Sequence, residues 1–71
     1  MKKKILVFGG SGLVGSTFIN YAKDFFDISY TYNTNNLKID NVKSFKIDLL
    51  SDNEKIRSII NQINPDIIIH L

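Results

Sequence analysis

The feature that most restricts the fold of this chain is a set of spaced glycines between an apolar run and a helical pattern. Residues 5–8 are apolar β-formers, and glycines follow at the first, fourth and seventh positions of residues 9–15. The apolar spacing after them predicts a helix that ends near residues 24–26. Its predicted buried stripe is Val14, Phe18, Ala22 and Phe25. A strand that enters a helix through a glycine turn is typical of α/β domains with a parallel sheet.

Three further segments have the composition of strands. Residues 28–32 are rich in β-branched and aromatic side chains and predict a second strand. Residues 44–47 predict a third, with Phe45 and Ile47 on one face. The three isoleucines at 67–69 predict a fourth strand that is buried on both faces. A polar loop at 33–36 and an irregular stretch at 37–42 separate the second strand from the third.

A second helix is predicted between the third and fourth strands. Residues 51–54 match a capping box, with Ser51 as the N-cap and Glu54 three residues later. Asn64 and Pro65 end the helix, because proline disfavours helical backbone in the residue before it. The buried stripe at i, i+3, i+4 and i+7 is Ile56, Ile59, Ile60 and Ile63.

The element order β-α-β-β-α-β predicts a Rossmann-type, doubly wound parallel sheet of the α/β class with strand order 3-2-1-4. The fourth strand has no predicted neighbour on its outer side, and bare apolar edges are usually avoided. A domain of about 70 residues also buries a small fraction of its surface, and such domains are usually stabilised by a disulfide, a metal or a partner. We therefore expect residues 1–71 to be the amino-terminal part of an NAD(P)-binding Rossmann domain, truncated after the fourth strand.

Composition excludes several classes of function. The chain has no cysteine and one histidine, which argues against thiol chemistry, disulfides and His-rich metal sites. The net charge is +2, and Lys2, Lys3 and Lys4 account for the excess. The charge balance therefore gives no reason to expect a nucleic-acid or membrane surface. The longest purely apolar run is too short for a signal peptide or a membrane span, so a cytoplasmic protein is expected.

The glycine turn predicts a phosphate-binding loop. Gly9 permits a tight turn out of the strand, Gly12 lets a pyrophosphate approach the backbone, and Gly15 lets the helix pack close to the sheet. The free N–H groups and the positive dipole end of the helix then face the phosphates. The alternative is a glycine-rich turn that binds no ligand.

The ends of the second and third strands predict the contacts to the rest of a dinucleotide. Residues 30–34 contain neither the acid that usually binds a ribose 2′-hydroxyl nor a base for a 2′-phosphate, so the cofactor is NADH or NADPH. Asn33 is a candidate ribose contact or a plain turn residue, and Lys38 is a weaker candidate for a 2′-phosphate. Asp48 closes the third strand, where its carboxylate can accept from the adenine amino group while Leu49 packs on the ring.

The chain resembles the amino-terminal part of an extended short-chain dehydrogenase/reductase, and within that group it is most similar to the dTDP-4-dehydrorhamnose reductases. The similar stretches are residues 5–15 (ILVFGGSGLVG), 46–49 (KIDL) and 65–71 (PDIIIHL). The resemblance implies an oxidoreductase of dTDP-rhamnose biosynthesis that transfers a hydride to a 4-keto nucleotide sugar. It implies pyrophosphate contacts from Gly9, Ser11, Gly12, Leu13 and Val14, and adenine contacts from Asp48 and Leu49.

Catalysis in that family comes from Ser or Thr with a Tyr-x-x-x-Lys pair. The residues four positions after Tyr21, Tyr30 and Tyr32 are Phe25, Thr34 and Asn36, so the pair is absent from this sequence. We therefore assign no catalytic residue and no metal ligand. His70 ends the strand that runs toward the nicotinamide ribose, and it is more simply a packing residue there.

Three alternatives remain open. The first is an NAD-dependent sugar-nucleotide epimerase or dehydratase; Phe8, where many epimerases carry Thr, and the missing acid on the second strand favour the reductase. The second is a dinucleotide-binding regulatory relative without turnover. The third is an interaction module that pairs its fourth strand with another chain. A homo-oligomer is compatible with all of them.

Overall fold

The computed structural model describes residues 2–9, 12–33, 39–48 and 50–71. These residues form one four-stranded parallel sheet in the order β3-β2-β1-β4. The predicted α/β class and strand order are confirmed. The elements are β1 (Lys4–Phe8), α1 (Leu13–Ala22), β2 (Asp27–Tyr32), β3 (Lys43–Lys46), α2 (Asn53–Ile63) and β4 (Ile67–His70).

Strand β1 is buried on both faces, as its continuous apolar run predicts. Ile5 and Val7 belong to the hydrophobic cluster on the α1 side of the sheet. Leu6 and Phe8 belong to the cluster on the other side, where Ile59 of α2 packs. Each helix therefore covers one face of the same central strand, which is the three-layer arrangement of a doubly wound domain.

Helix α1 packs on the sheet through part of the predicted stripe, since Ala22 is buried and Phe18 packs partly buried against the cluster on that side. Its buried residues are Gly15, Ile19 and Ala22, whereas Val14 is 73% exposed and Phe25 is 62% exposed. Apolar side chains occupy more than one side of this helix, so their spacing does not reveal which side meets the sheet. The helix also ends earlier than predicted, because the amides of residues 25 and 26 both donate to the carbonyl of Ala22.

Helix α2 confirms its predicted stripe: Ile59 is buried, and the other three isoleucines pack partly buried against the same cluster. The predicted cap is wrong. Asp52 is the N-cap residue, without a side-chain cap bond, and the amide of Ser51 donates to the carbonyl of Asp48 in the preceding turn. The helix ends where predicted, at Asn64, whose φ of 51° is left-handed.

Strand β4 is less buried than its isoleucines predict. Ile69 packs against the cluster on the α1 side, but Ile67 is 41% exposed and Ile68 is 49% exposed. The physical reason is position, since β4 is the last strand of the described sheet and pairs only with β1 there. The prediction of burial on both faces is therefore wrong for Ile67 and Ile68.

Candidate functional site

The carboxyl ends of β1, β2 and β3 surround a cavity of about 250 Å3. Parallel strands bring their carboxyl ends to one edge of the sheet, and open α/β folds bind ligands at that edge. Turns after β1, β2 and β3 supply most of the wall. The lining residues are Gly9, Thr31, Tyr32, Asn33, Ile47, Asp48 and Leu50.

Gly9 is required by the geometry of the turn that follows β1. Its φ of +86° lies in the region that L side chains rarely adopt. A β-carbon at this position would also stand 3.3 Å from the carbonyl oxygen of Leu71. Its amide donates to the hydroxyl oxygen of Thr31 over 3.2 Å, which ties the turn to β2. The conformation and the packing of this residue both explain a glycine without any ligand.

Gly12 is different, because nothing in the described structure requires a glycine there. Its φ of −74° is accessible to any residue, and it serves as the N-cap of α1. A β-carbon on Gly12 would meet no described atom within 4 Å. The space in front of this backbone is open, and a pyrophosphate that approaches the helix end would need that space. The residue thus fits a cofactor better than it fits a packing role.

The first turn of α1 presents backbone donors toward the same edge. The amide of Ser16 makes the first described intrahelical bond, to the carbonyl of Gly12 over 2.8 Å, and Gly12 provides no side-chain cap. Amides in the turn before it have no intrahelical acceptor in an α-helix. The hydroxyls of Ser16 and Thr17 both donate back to the carbonyl of Leu13, at 3.2 and 2.8 Å. The helix end therefore offers amides and a positive dipole to an anion.

Asp48 is held in place by a turn that precedes α2. Its Oδ1 accepts from the amide of Leu50 over 3.0 Å, and its own amide donates to Oδ2 of Asp52 over 2.8 Å. The side chain is half-buried and lines the cavity. Among the described contacts, Oδ1 is the one oxygen of the Asp48 carboxylate that accepts a hydrogen bond, so Oδ2 can accept from a ligand amino group such as that of adenine.

The structure brings most of the predicted site residues to one edge. Gly9, Asn33 and Asp48 line the cavity together. Leu13 and Val14 are exposed in the first turn of α1, and Gly15 is buried beneath it, as close helix packing requires. Predicted contacts at Ser11 and Leu49, and the weaker candidate Lys38, lie outside the described residues.

Sequence reasoning missed four lining residues: Thr31, Tyr32, Ile47 and Leu50. Thr31 pairs with Phe8 in the parallel register, so its hydroxyl stands beside the start of the glycine turn. Counting strand registers from the sequence would have found it. Leu50 is 94% exposed and lies next to the predicted adenine contact. Its exposure was not readable from the sequence, because leucine is among the residues most often buried.

The cavity lining carries little charge. Asp48 is the one acidic residue among the described lining residues, and none of them is basic. An anion at this edge would therefore depend on backbone amides and the helix dipole. Among the described residues, no group of three His, Cys, Asp or Glu side chains is placed to hold a metal ion. Neither described helix is long and apolar enough to cross a membrane.

A larger cavity of about 550 Å3 lies at the opposite edge of the sheet, where the strands begin. Lysines 2, 4 and 23 line it together with Asp24 and Asp27, so opposite charges alternate around it. Its described lining includes no glycine and no residue of a helix N-terminus. The smaller cavity is the candidate site, because Gly9 lines it and the N-terminus of α1 lies at the same edge of the sheet.

No protein-family description matches the sequence, and no curated protein matches it. Among solved structures, the fold is similar to that of a Burkholderia cenocepacia J2315 protein described as "a putative epimerase", with a TM-score of 0.80 and 21% sequence identity. The similarity covers 97% of this chain and 24% of the other, so this chain spans about a quarter of its neighbour's length. At this identity the likeness establishes the fold and not the activity.

Proposed function

We propose that this chain is the NAD(P)H-binding portion of a sugar-nucleotide reductase that transfers a hydride to a 4-keto sugar. The observation that carries the proposal is the open space in front of Gly12 at the start of α1. Packing within the described chain does not call for a glycine there, whereas a pyrophosphate does. The resemblance of residues 5–15 and 46–49 to the dTDP-4-dehydrorhamnose reductases supports the choice of reaction.

In this proposal, residues of the chain contact the pyrophosphate, a ribose and the adenine of the dinucleotide. The pyrophosphate would lie against the backbone at Gly12 and the first turn of α1. Asn33, exposed at the end of β2, would reach the ribose. Asp48, fixed by its turn, would accept from the adenine amino group through the carboxylate oxygen that the described contacts leave unused.

The role of this chain in the reaction is to bind and orient. The nicotinamide of the bound cofactor supplies the hydride. The tyrosine and lysine that deliver a proton in related reductases have no counterpart in this sequence, so the proton would come from residues outside it. The nucleotide-sugar substrate would be bound there as well.

Both cofactors, NADH and NADPH, fit the end of β2. Residues 30–33 present two tyrosines, a threonine and an asparagine. No carboxylate among them repels a 2′-phosphate, and no cation among them binds one. A direct comparison of the two cofactors is therefore part of the test.

The test is a titration of the chain with NADPH and with NADH, followed by fluorescence of the reduced nicotinamide. Gly12→Ala places a methyl group where the pyrophosphate would lie and should weaken binding about tenfold or more, the worth of a charge-assisted hydrogen bond. Asn20→Ala, also exposed on α1 but outside its first turn, is the matched control and should bind like the wild type. Wild-type chain that binds neither cofactor, or Gly12→Ala that binds as tightly as wild type, would overturn the proposal.

The second candidate is an NAD-dependent epimerase or dehydratase, which is favoured by the description of the Burkholderia cenocepacia protein. The two candidates differ in their use of cofactor. A reductase consumes one reduced nicotinamide for each sugar it converts, whereas an epimerase returns the cofactor to its starting state. Measuring NADPH consumption against sugar conversion, in a polypeptide that includes the catalytic residues, separates them.

A further inference from the structure

Thr31 makes a contact that the proposed binding site does not itself explain. Its side chain is only 2% exposed, at the carboxyl end of β2. Its Oγ1 accepts a hydrogen bond from the amide of Gly9 over 3.2 Å, across 22 residues of sequence. Thr31 is therefore the side chain that joins the end of β2 to the turn after β1.

This bond determines where the amide of Gly9 points. Gly9 has a positive φ and lines the candidate cavity, so its amide is in a position where a phosphate would otherwise compete for it. Because Thr31 accepts the hydrogen bond of that amide, the donors to an anion must lie further along the chain, at the start of α1. Gly9 lies three residues before Gly12, so a bond that holds Gly9 at the end of β1 bears on where the start of α1 can lie.

We infer that Thr31 is a positioning residue for the dinucleotide: its hydroxyl holds the Gly9 turn so that the backbone at Gly12 and the first turn of α1 meet the pyrophosphate. The inference rests on the proposed function and adds a residue to it. Thr31 touches no phosphate in this account and acts through Gly9.

The competing explanation is that Thr31 only stabilises the fold. A buried threonine in a strand stabilises it through its β-branched shape, whether or not its hydroxyl is used. Valine has nearly the same shape and lacks the acceptor, whereas serine keeps the acceptor and loses a methyl group. The two substitutions therefore separate the hydroxyl from the packing.

The first measurement is hydrogen exchange of the Gly9 amide by NMR, without any ligand. The wild-type amide should be protected, Thr31→Ser should keep that protection, and Thr31→Val should exchange about tenfold faster, as loss of one hydrogen bond implies. Ser29→Ala is the matched control, because Ser29 is buried on the same strand, two residues earlier. Any faster exchange at Gly9 in Ser29→Ala should be no greater than at the other amides of β1, which report the stability of the whole fold.

The second measurement is the affinity of the same four proteins for NADPH and for adenosine. Thr31→Val should bind NADPH roughly tenfold more weakly and adenosine as the wild type does, because only NADPH carries the pyrophosphate. Thr31→Ser and Ser29→Ala should bind both as the wild type does. A purely structural role would instead weaken both probes together, in proportion to the unfolded fraction.

The outcomes separate this inference from the proposed function. If the wild type binds NADPH and Thr31→Val binds it equally well, the inference is wrong and the proposed function stands. If the wild type does not bind NADPH or NADH, the proposed function fails and the inference fails with it, whatever the exchange at Gly9 shows. If Thr31→Val does not fold, the wild type and Thr31→Ala supply the test. Rapid exchange of the Gly9 amide in the wild type would overturn the inference. Protection of that amide in the wild type, together with weak NADPH binding by Thr31→Ala, would support it.

Discussion

Gly9 and Leu71 lie so close together that a β-carbon on Gly9 would stand 3.3 Å from the carbonyl oxygen of Leu71. The amide of Leu71 in turn donates to the carbonyl of Phe8 over 3.0 Å, so the backbone that follows β4 lies against the glycine turn. The turn is therefore confined by β2 on one side and by the end of β4 on the other.

Gly9→Ala should destabilise the fold by about 1–2 kcal/mol, because an L side chain at a φ of +86° is strained and its methyl group presses on Leu71. Urea unfolding followed by circular dichroism measures the loss. Gly12→Ala is the comparison, since its methyl group meets open space, and it should cost clearly less. Equal losses for the two variants would contradict this account of Gly9.

Ile59→Ala should cost about 2–5 kcal/mol of unfolding free energy, because Ile59 is the fully buried residue of α2 and its truncation leaves a cavity under the sheet. In a chain of this size that loss is enough to unfold much of the population. Ile67→Ala removes the same atoms from a half-exposed position and should cost much less. A similar shift in the urea midpoint for both would show that burial does not set the energetics here.

Asp52→Ala should lower the unfolding free energy by about 1 kcal/mol, because it removes the acceptor for the amide of Asp48. Asp52→Asn keeps a side-chain oxygen in that place and should recover most of the loss. Ser51→Ala should have almost no effect, because Ser51 does not cap the helix. Thermal unfolding of the three variants tests this, and a larger loss at Ser51 than at Asp52 would restore the capping box as the correct interpretation.

Ile68→Lys should reduce self-association at high protein concentration, because it places a charge on β4, the more apolar of the two edge strands in the described sheet. Sedimentation velocity over a range of concentrations measures the effect. Leu50→Lys is the control, since Leu50 is even more exposed but lies in a turn rather than on a strand edge. If both variants reduce association equally, general charge and not the β4 edge is responsible.

The parts of the fold that could be predicted are those in which one pattern had one physical meaning. Residues 5–8 of β1 are all apolar, and a strand buries all four of them only when both of its faces are covered. The isoleucines of α2 are spaced three or four residues apart and the remaining residues are polar. A single side of that helix was therefore available for burial. The strand order followed from the order of the elements, because parallel strands are joined by right-handed crossovers.

The errors arose where the sequence offered more than one solution. Helix α1 has apolar residues on several sides, and the side that meets the sheet is set by Ile19 against β1, a tertiary contact. Ser51 and Asp52 are both good N-cap residues, and the turn made by Asp48 decides between them. Thr31 was missed for the same reason, since its importance depends on a neighbour 22 residues away in sequence.

Lys4 and Asp66 join the two ends of this fold. The amide of Lys4 donates to the carboxylate of Asp66 over 2.9 Å, and the amide of Asp66 donates to the carbonyl of Lys4 over 2.8 Å. These bonds begin the pairing of β1 with β4, across 62 residues. Closing so long a loop is an entropic barrier, and topologies with such distant pairings fold slowly. Strand β1 consequently gains its second neighbour only when β4 pairs with it, and until then its apolar edge can pair with another chain.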